Sequence, residues 1–169
     1  MNEWLAQPPD AVPTPGLVAD LAAMGALSVE RVPLWAAQWL VEGHDGDDLR
    51  ALAGLSGRDP REVHDLLPGA LADCGVGVQE GSATSRVFTY VARMQLDGRA
   101  GERWVVDKVE EILGVGNWDN DLLDLPLGRL YHFACEWDGG WGRTEEELKA
   151  EVRRACAEQI AANLPRLEA

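Results

Sequence analysis

Residues 86–99, RVFTYVARMQLDGR, admit two readings, and the fold class turns on which one holds. As a helix, the stretch places Val87, Tyr90, Val91 and Met94 on one face. As a strand, it turns Phe88, Tyr90, Ala92, Met94 and Leu96 to one side and makes Asp97-Gly98 a hairpin turn. A strand needs a partner, because an isolated one is not stable in water. No segment nearby offers a clear partner, so a helix is expected here, and with it an all-α chain.

The segments that follow also read as helices. GERWVVDKVEEILG (101–114) turns Val105, Val109, Ile112 and Leu113 inward and is expected to stop at Gly114. NWDNDLLDLPLGRLYHFACEW (117–137) opens on cap-type residues. Pro126 should end a short first piece, with a longer helix behind it. In RTEEELKAEVRRACAEQIAANL (143–164), Thr144 and Glu147 form a capping box, and Leu148, Val152, Cys156 and Ile160 make the inner stripe up to Leu164-Pro165.

The preceding segments are similar. VGVQEGSATS (76–85) is a polar joint and the best subdomain boundary. In DPREVHDLLPGALADCG (59–75), Asp59 caps, Pro60 takes the first helical position and Glu62 can reach back to the cap. Val63, Leu66, Leu67, Ala70, Leu71 and Cys74 form its stripe, and Pro68-Gly69 should kink or split it at Leu67. DGDDLRALAGLSG (45–57) offers Asp45 as cap, with Leu49, Leu52, Ala53 and Leu55 apolar. VERVPLWAAQWLVEGH (29–44) groups Leu34, Trp35, Trp39 and Leu40, with Val41 at the edge and Gly43 as stop. Thr14-Pro15 starts a helix through Leu17, Val18, Leu21 and Met24, while residues 1–13 are expected to be extended.

The expected fold is therefore an all-α domain over 14–169, a compact bundle of about seven or eight short helices. It divides into helical halves at 14–76 and 84–164, packed together, with the joint near 76–84.

The chain has 169 residues, 29 acids and 15 bases, for a formal charge of −14. A field of that sign repels phosphate backbones and attracts basic partners, so nucleic acid is not expected as a ligand. LRALAGLSGRDPREVHDLL (49–67) has a faint helix-turn-helix outline, but Asp59, Glu62 and Asp65 offset Arg61 where a DNA reader would be basic. No apolar run is long enough for a membrane span. The first ten residues carry no Lys or Arg, unlike a secretory leader. Cys74, Cys135 and Cys156 have no CxxC spacing and read as free thiols in a cytoplasmic protein. High Ala, Gly, Leu, Arg and Asp usage suggests a bacterial coding bias.

No catalytic signature names a reaction. Asp119, Asp121 and Asp124 are close enough to bind a hard cation, but the calcium-loop glycine and closing glutamate are missing, so helix capping is the expected role. His132 and Glu136 share a helix face and allow an acid–base couple; a structural pair is the plainer reading. Cys135 is three residues from His132, yet one helix supplies no oxyanion site. No cofactor or metal is called for.

The seven tryptophans say more. Trp35 and Trp39 are core by periodicity. Trp118, Trp137 and Trp141 fall in helix-end loops among glycines and charges, where a large ring anchors either a cap or an interface. The candidate partner surface is Trp118, Asp119, Asp121, Asp124, Trp137, Asp138, Trp141 and Arg143. Size, acidity and these loops suggest a non-enzymatic inhibitor of the immunity-protein or antitoxin kind, neutralising a basic, toxin-like protein. The alternatives are a small hydrolase or transferase using Asp119, Asp121, His132 or Glu136, and a structural adaptor in a larger assembly.

Overall fold

A computed structural model describes residues 12–77 and 82–163. Every regular element among them is helical, and the ambiguous stretch is part of α5. The chain is all-α. It forms two compact units, one on each side of the 78–81 segment. The extended 1–13 segment falls almost wholly, and the Leu164-Pro165 stop wholly, outside the described residues.

The first unit contains α1 (Pro15–Ala23), a 3₁₀ turn (Val29–Arg31), α2 (Val32–Val41), α3 (Asp47–Ala53) and α4 (Pro60–Asp73). Thr14 caps α1 by accepting from the Leu17 amide at 3.2 Å, with Pro15 at the first helical position. Asp59 caps α4 through the Arg61 amide at 2.9 Å. The core gathers Val18, Val32, Trp35, Trp39, Leu49, Leu52, Val63 and Leu67. Trp39 is fully buried, and its indole N–H donates to the Pro13 carbonyl at 2.9 Å.

Three sequence expectations change here. Leu34 and Val41 are 64% and 79% exposed, because the inward stripe of α2 is Val32, Trp35, Ala36 and Trp39. Seven residues apart, Leu34 and Val41 share the outer face instead. Pro68 does not split α4, which runs unbroken for 14 residues. An interior proline costs about 3 kcal/mol, and burial of Leu67, Ala70 and Leu71 on both sides of it opposes that cost. Asp45 does not cap α3: the N-cap is Gly46, and the Leu49 amide donates to Asp73 from the far end of α4 at 3.0 Å.

The second unit contains α5 (Ala83–Leu96), α6 (Glu102–Val115), α7 (Asn120–Leu123), a 3₁₀ turn (Gly128–Leu130), α8 (Phe133–Gly139) and α9 (Glu145–Asn163). Asp97-Gly98 ends α5 rather than turning a hairpin. Gly98 has φ +71°, its amide donates to the Gln95 carbonyl, and the Arg99 amide donates to the Met94 carbonyl. The long partner of α5 is α9. Gln159, wholly buried in α9, accepts from the Leu127 amide and donates to the Ser85 carbonyl, both at 3.4 Å.

The second unit also departs from expectation. Helix α6 passes through Gly114 to Val115, and Asn117, at φ 52°, takes the left-handed position that usually falls to glycine. The short piece before Pro126 is the four residues of α7, and the longer helix behind it is the seven residues of α8, reached through the 3₁₀ turn. The chain turns tightly between them: a Cβ on Gly128 would lie 1.9 Å from the Leu122 carbonyl oxygen.

Candidate functional site

The candidate residues lie in two loops of the second unit. In the first, Asn117 and Trp118 are consecutive left-handed residues, with φ 52° and 56°. The Trp118 amide donates to the Leu113 carbonyl at 2.9 Å, which closes α6 and reverses the chain. Leu122 folds back onto Gly116, where a Cβ would meet its Cδ1 at 2.3 Å. Trp118 is left 45% exposed, beside Val115 at 43%.

Asp119 caps α7 by accepting from the Asp121 amide at 3.1 Å, so the capping reading holds for that residue. The carboxylates of Asp119, Asp121 and Asp124 are exposed and form no ion pair among the described residues. No group of three His, Cys, Asp or Glu that could hold a metal occurs among the described residues.

The second loop follows α8. Gly140, at φ 61°, stops that helix, and Thr144 with Glu147 forms the capping box of α9: the Thr144 amide donates to Glu147 at 2.8 Å and the Glu147 amide to the Thr144 hydroxyl at 3.3 Å. The structure uses Arg143 as the clasp between the two helices. Its Nη2 and Nε donate to the two oxygens of Glu136 at 2.6 and 3.0 Å, and its amide donates to the same carboxylate at 3.3 Å. The guanidinium also lies 4.2 Å from the Phe133 ring centre. Gly142 is required on two counts, a φ of +83° and a Cβ position 2.8 Å from Glu136 Oε2. The Arg143 hydrogen bond holds the buried Glu136 carboxyl below its ordinary value of 4.5.

This occupancy changes the reading of His132. Its Nε2 lies 3.4 Å from Glu136 Oε1 and 2.9 Å from Arg143 Nη2. Arginine only donates, so Nε2 accepts and the ring proton sits on Nδ1. Nδ1 is buried with no hydrogen-bond partner. Glu136, fully engaged by arginine, is poorly placed to pass protons to His132. Cys135 is exposed and makes no hydrogen bond to His132, whereas burial pushes the Cys156 thiol up to about 12.

The other candidates divide. Asp138 is engaged by Arg103, whose two Nη atoms donate to it at 2.7 and 3.2 Å, and the same guanidinium lies 6.0 Å from the half-buried Trp137 ring. Trp141 is 59% exposed and rests its indole against Gly139, where a Cβ would come within 2.4 Å of the ring. Thus Trp137 is half-buried and Asp138 and Arg143 are paired within the unit, while Trp118 and Trp141 face solvent, as do Asp119, Asp121 and Asp124, which form no ion pair among the described residues.

No family model, curated protein or solved structure matches this chain. No helix among the described residues is long and apolar enough to cross a membrane.

Proposed function

We propose that this chain is a non-enzymatic binding protein of the immunity-protein or antitoxin kind, which neutralises a basic protein partner through the Trp118 loop. One observation carries the reading. An exposed tryptophan, left-handed like Asn117 before it, is followed within six residues by three carboxylates with no internal ion pair among the described residues, whereas Asp138 and Glu136 are already matched by arginines. Carboxylates without an internal ion pair are the ones that steer a basic partner and then pair with its Arg or Lys. A rigid indole supplies contact area at low entropy cost. The formal charge of −14 extends the attraction beyond contact distance.

The test starts with co-purification from the native host and identification of what remains bound. A stoichiometric basic protein supports the proposal, and a large symmetric particle supports the adaptor reading. With that protein in hand, Asp119→Asn, Asp121→Asn and Asp124→Asn together should slow association and weaken its salt dependence; Asn at 119 preserves the cap. Trp118→Ala should speed dissociation. An on-rate indifferent to salt counts against steering. A rise of several degrees in Tm with Mg²⁺, Ca²⁺ or Zn²⁺ would favour the hydrolase or transferase reading.

A further inference from the structure

Within the second unit, a cleft of about 210 Å³ opens between α9 and the turn that leads into α8. Its apolar lining comes from Pro126, which is half-buried, and from Leu130, Phe133 and Ala155, which are buried. Arg129, His132 and Arg143 border it on one side, and Glu151, Arg154 and Glu158 on the α9 side.

The charges are unevenly matched. Arg143 is spent on Glu136 through Nε and Nη2. Arg154 is paired with Glu151 and reaches Glu158 at 3.8 Å. Arg129 donates only to the Asp124 carbonyl, at 3.2 Å, and takes no carboxylate among the described residues. A guanidinium has five donors in a planar fork, so most of those on Arg129 are unused. One negative charge in the cleft therefore finds a guanidinium that no carboxylate among the described residues already pairs, while Arg154 alone is shared by Glu151 and Glu158. A second would face Glu151 and Glu158 with no further cation to offset it. The planar fork matches a carboxylate in both geometry and charge.

We propose that this cleft binds a monocarboxylate carried on a compact apolar stem, with Arg129 taking the carboxylate and the half-buried Pro126 edge taking the stem. The same chemistry is offered by a free small acid and by the C-terminal residue of a peptide.

Benzoate, titrated at constant ionic strength and followed by the His132 ring resonances, is the first probe. Saturable binding is expected. Arg129→Gln should weaken it at least about tenfold, the effect of removing a charge-assisted contact. Inorganic phosphate should bind the wild type much more weakly than benzoate, and Glu158→Gln should raise phosphate affinity, a gain that misfolding cannot imitate. An acetylated tripeptide ending in Phe, compared as acid and amide, separates the sources. Binding of the acid form tighter than benzoate assigns the site to a peptide terminus, and binding of benzoate alone assigns it to a free acid. The proposal is overturned if benzoate fails to saturate, if Arg129→Gln binds it unchanged, or if phosphate matches benzoate on the wild type.

Discussion

At the residue scale, the Glu136–Arg143 pair decides how α8 is tied to the start of α9. Glu136 is 6% exposed, and its partner is a fork held over Phe133. Removing one side of a buried pair leaves the other charge uncompensated. Arg143→Ala should therefore lower Tm by several degrees, and Arg143→Lys should recover only part of the loss, because an ammonium cannot reproduce the fork. The pH dependence has a definite sign. The folded-state value of Glu136 is depressed, so the contribution is fully present above the ordinary carboxylate value of 4.5 and is lost as pH falls through the lower, folded value. The Tm gap between wild type and Arg143→Ala should close on acidification. A gap that stays constant down to strongly acidic pH would show that arginine acts only through packing on Phe133.

At the scale of elements, the informative contact is between α3 and α4. Helix α3 has acids in its first turn but no side-chain cap of its own; Asp73, from α4, supplies the acceptor. Gly46 makes room for it: a Cβ there would fall 2.0 Å from Asp73 Cγ. The φ of Gly46, 162°, is ordinary extended backbone, so the need for glycine at this position is one of space. Asp73→Ala should cost about 1 kcal/mol, as lost caps do. Gly46→Ala should cost more in the wild type than in an Asp73→Gly background, because the Asp73 Cβ itself lies 2.5 Å from the added methyl. A double-mutant cycle by urea denaturation reads this coupling, and strict additivity would refute the steric account. Continuity of α4 across Pro68 belongs to the same scale, since buried neighbours on both sides oppose the local penalty.

At the scale of the whole molecule, a net charge of −14 dominates. Among the described residues, most ion pairs span only three or four residues, as Lys149 does with Glu145 and Glu146, and solvent-accessible pairs of that kind contribute little. Self-repulsion should outweigh them. Raising NaCl from about 20 to about 500 mM, which shortens the screening length severalfold, should raise Tm. A fall would mean that attractive pairs control the balance. The sequence by itself determined the fold class, the caps at Thr14, Asp59 and Thr144, and the core tryptophans Trp35 and Trp39, because periodicity and capping act within one or two helical turns. The strand reading of residues 86–99 failed for want of a partner, and the structure turns its Asp-Gly signal into a helix stop. Only the tertiary structure decided that Asp73 caps α3, that Gly128 must pass against the Leu122 carbonyl, and that Arg143 neutralises Glu136 while Asp119, Asp121 and Asp124 form no ion pair among the described residues. Each of these depends on which charge or backbone atom arrives from a distant or reversed segment, and no spacing along the chain encodes that.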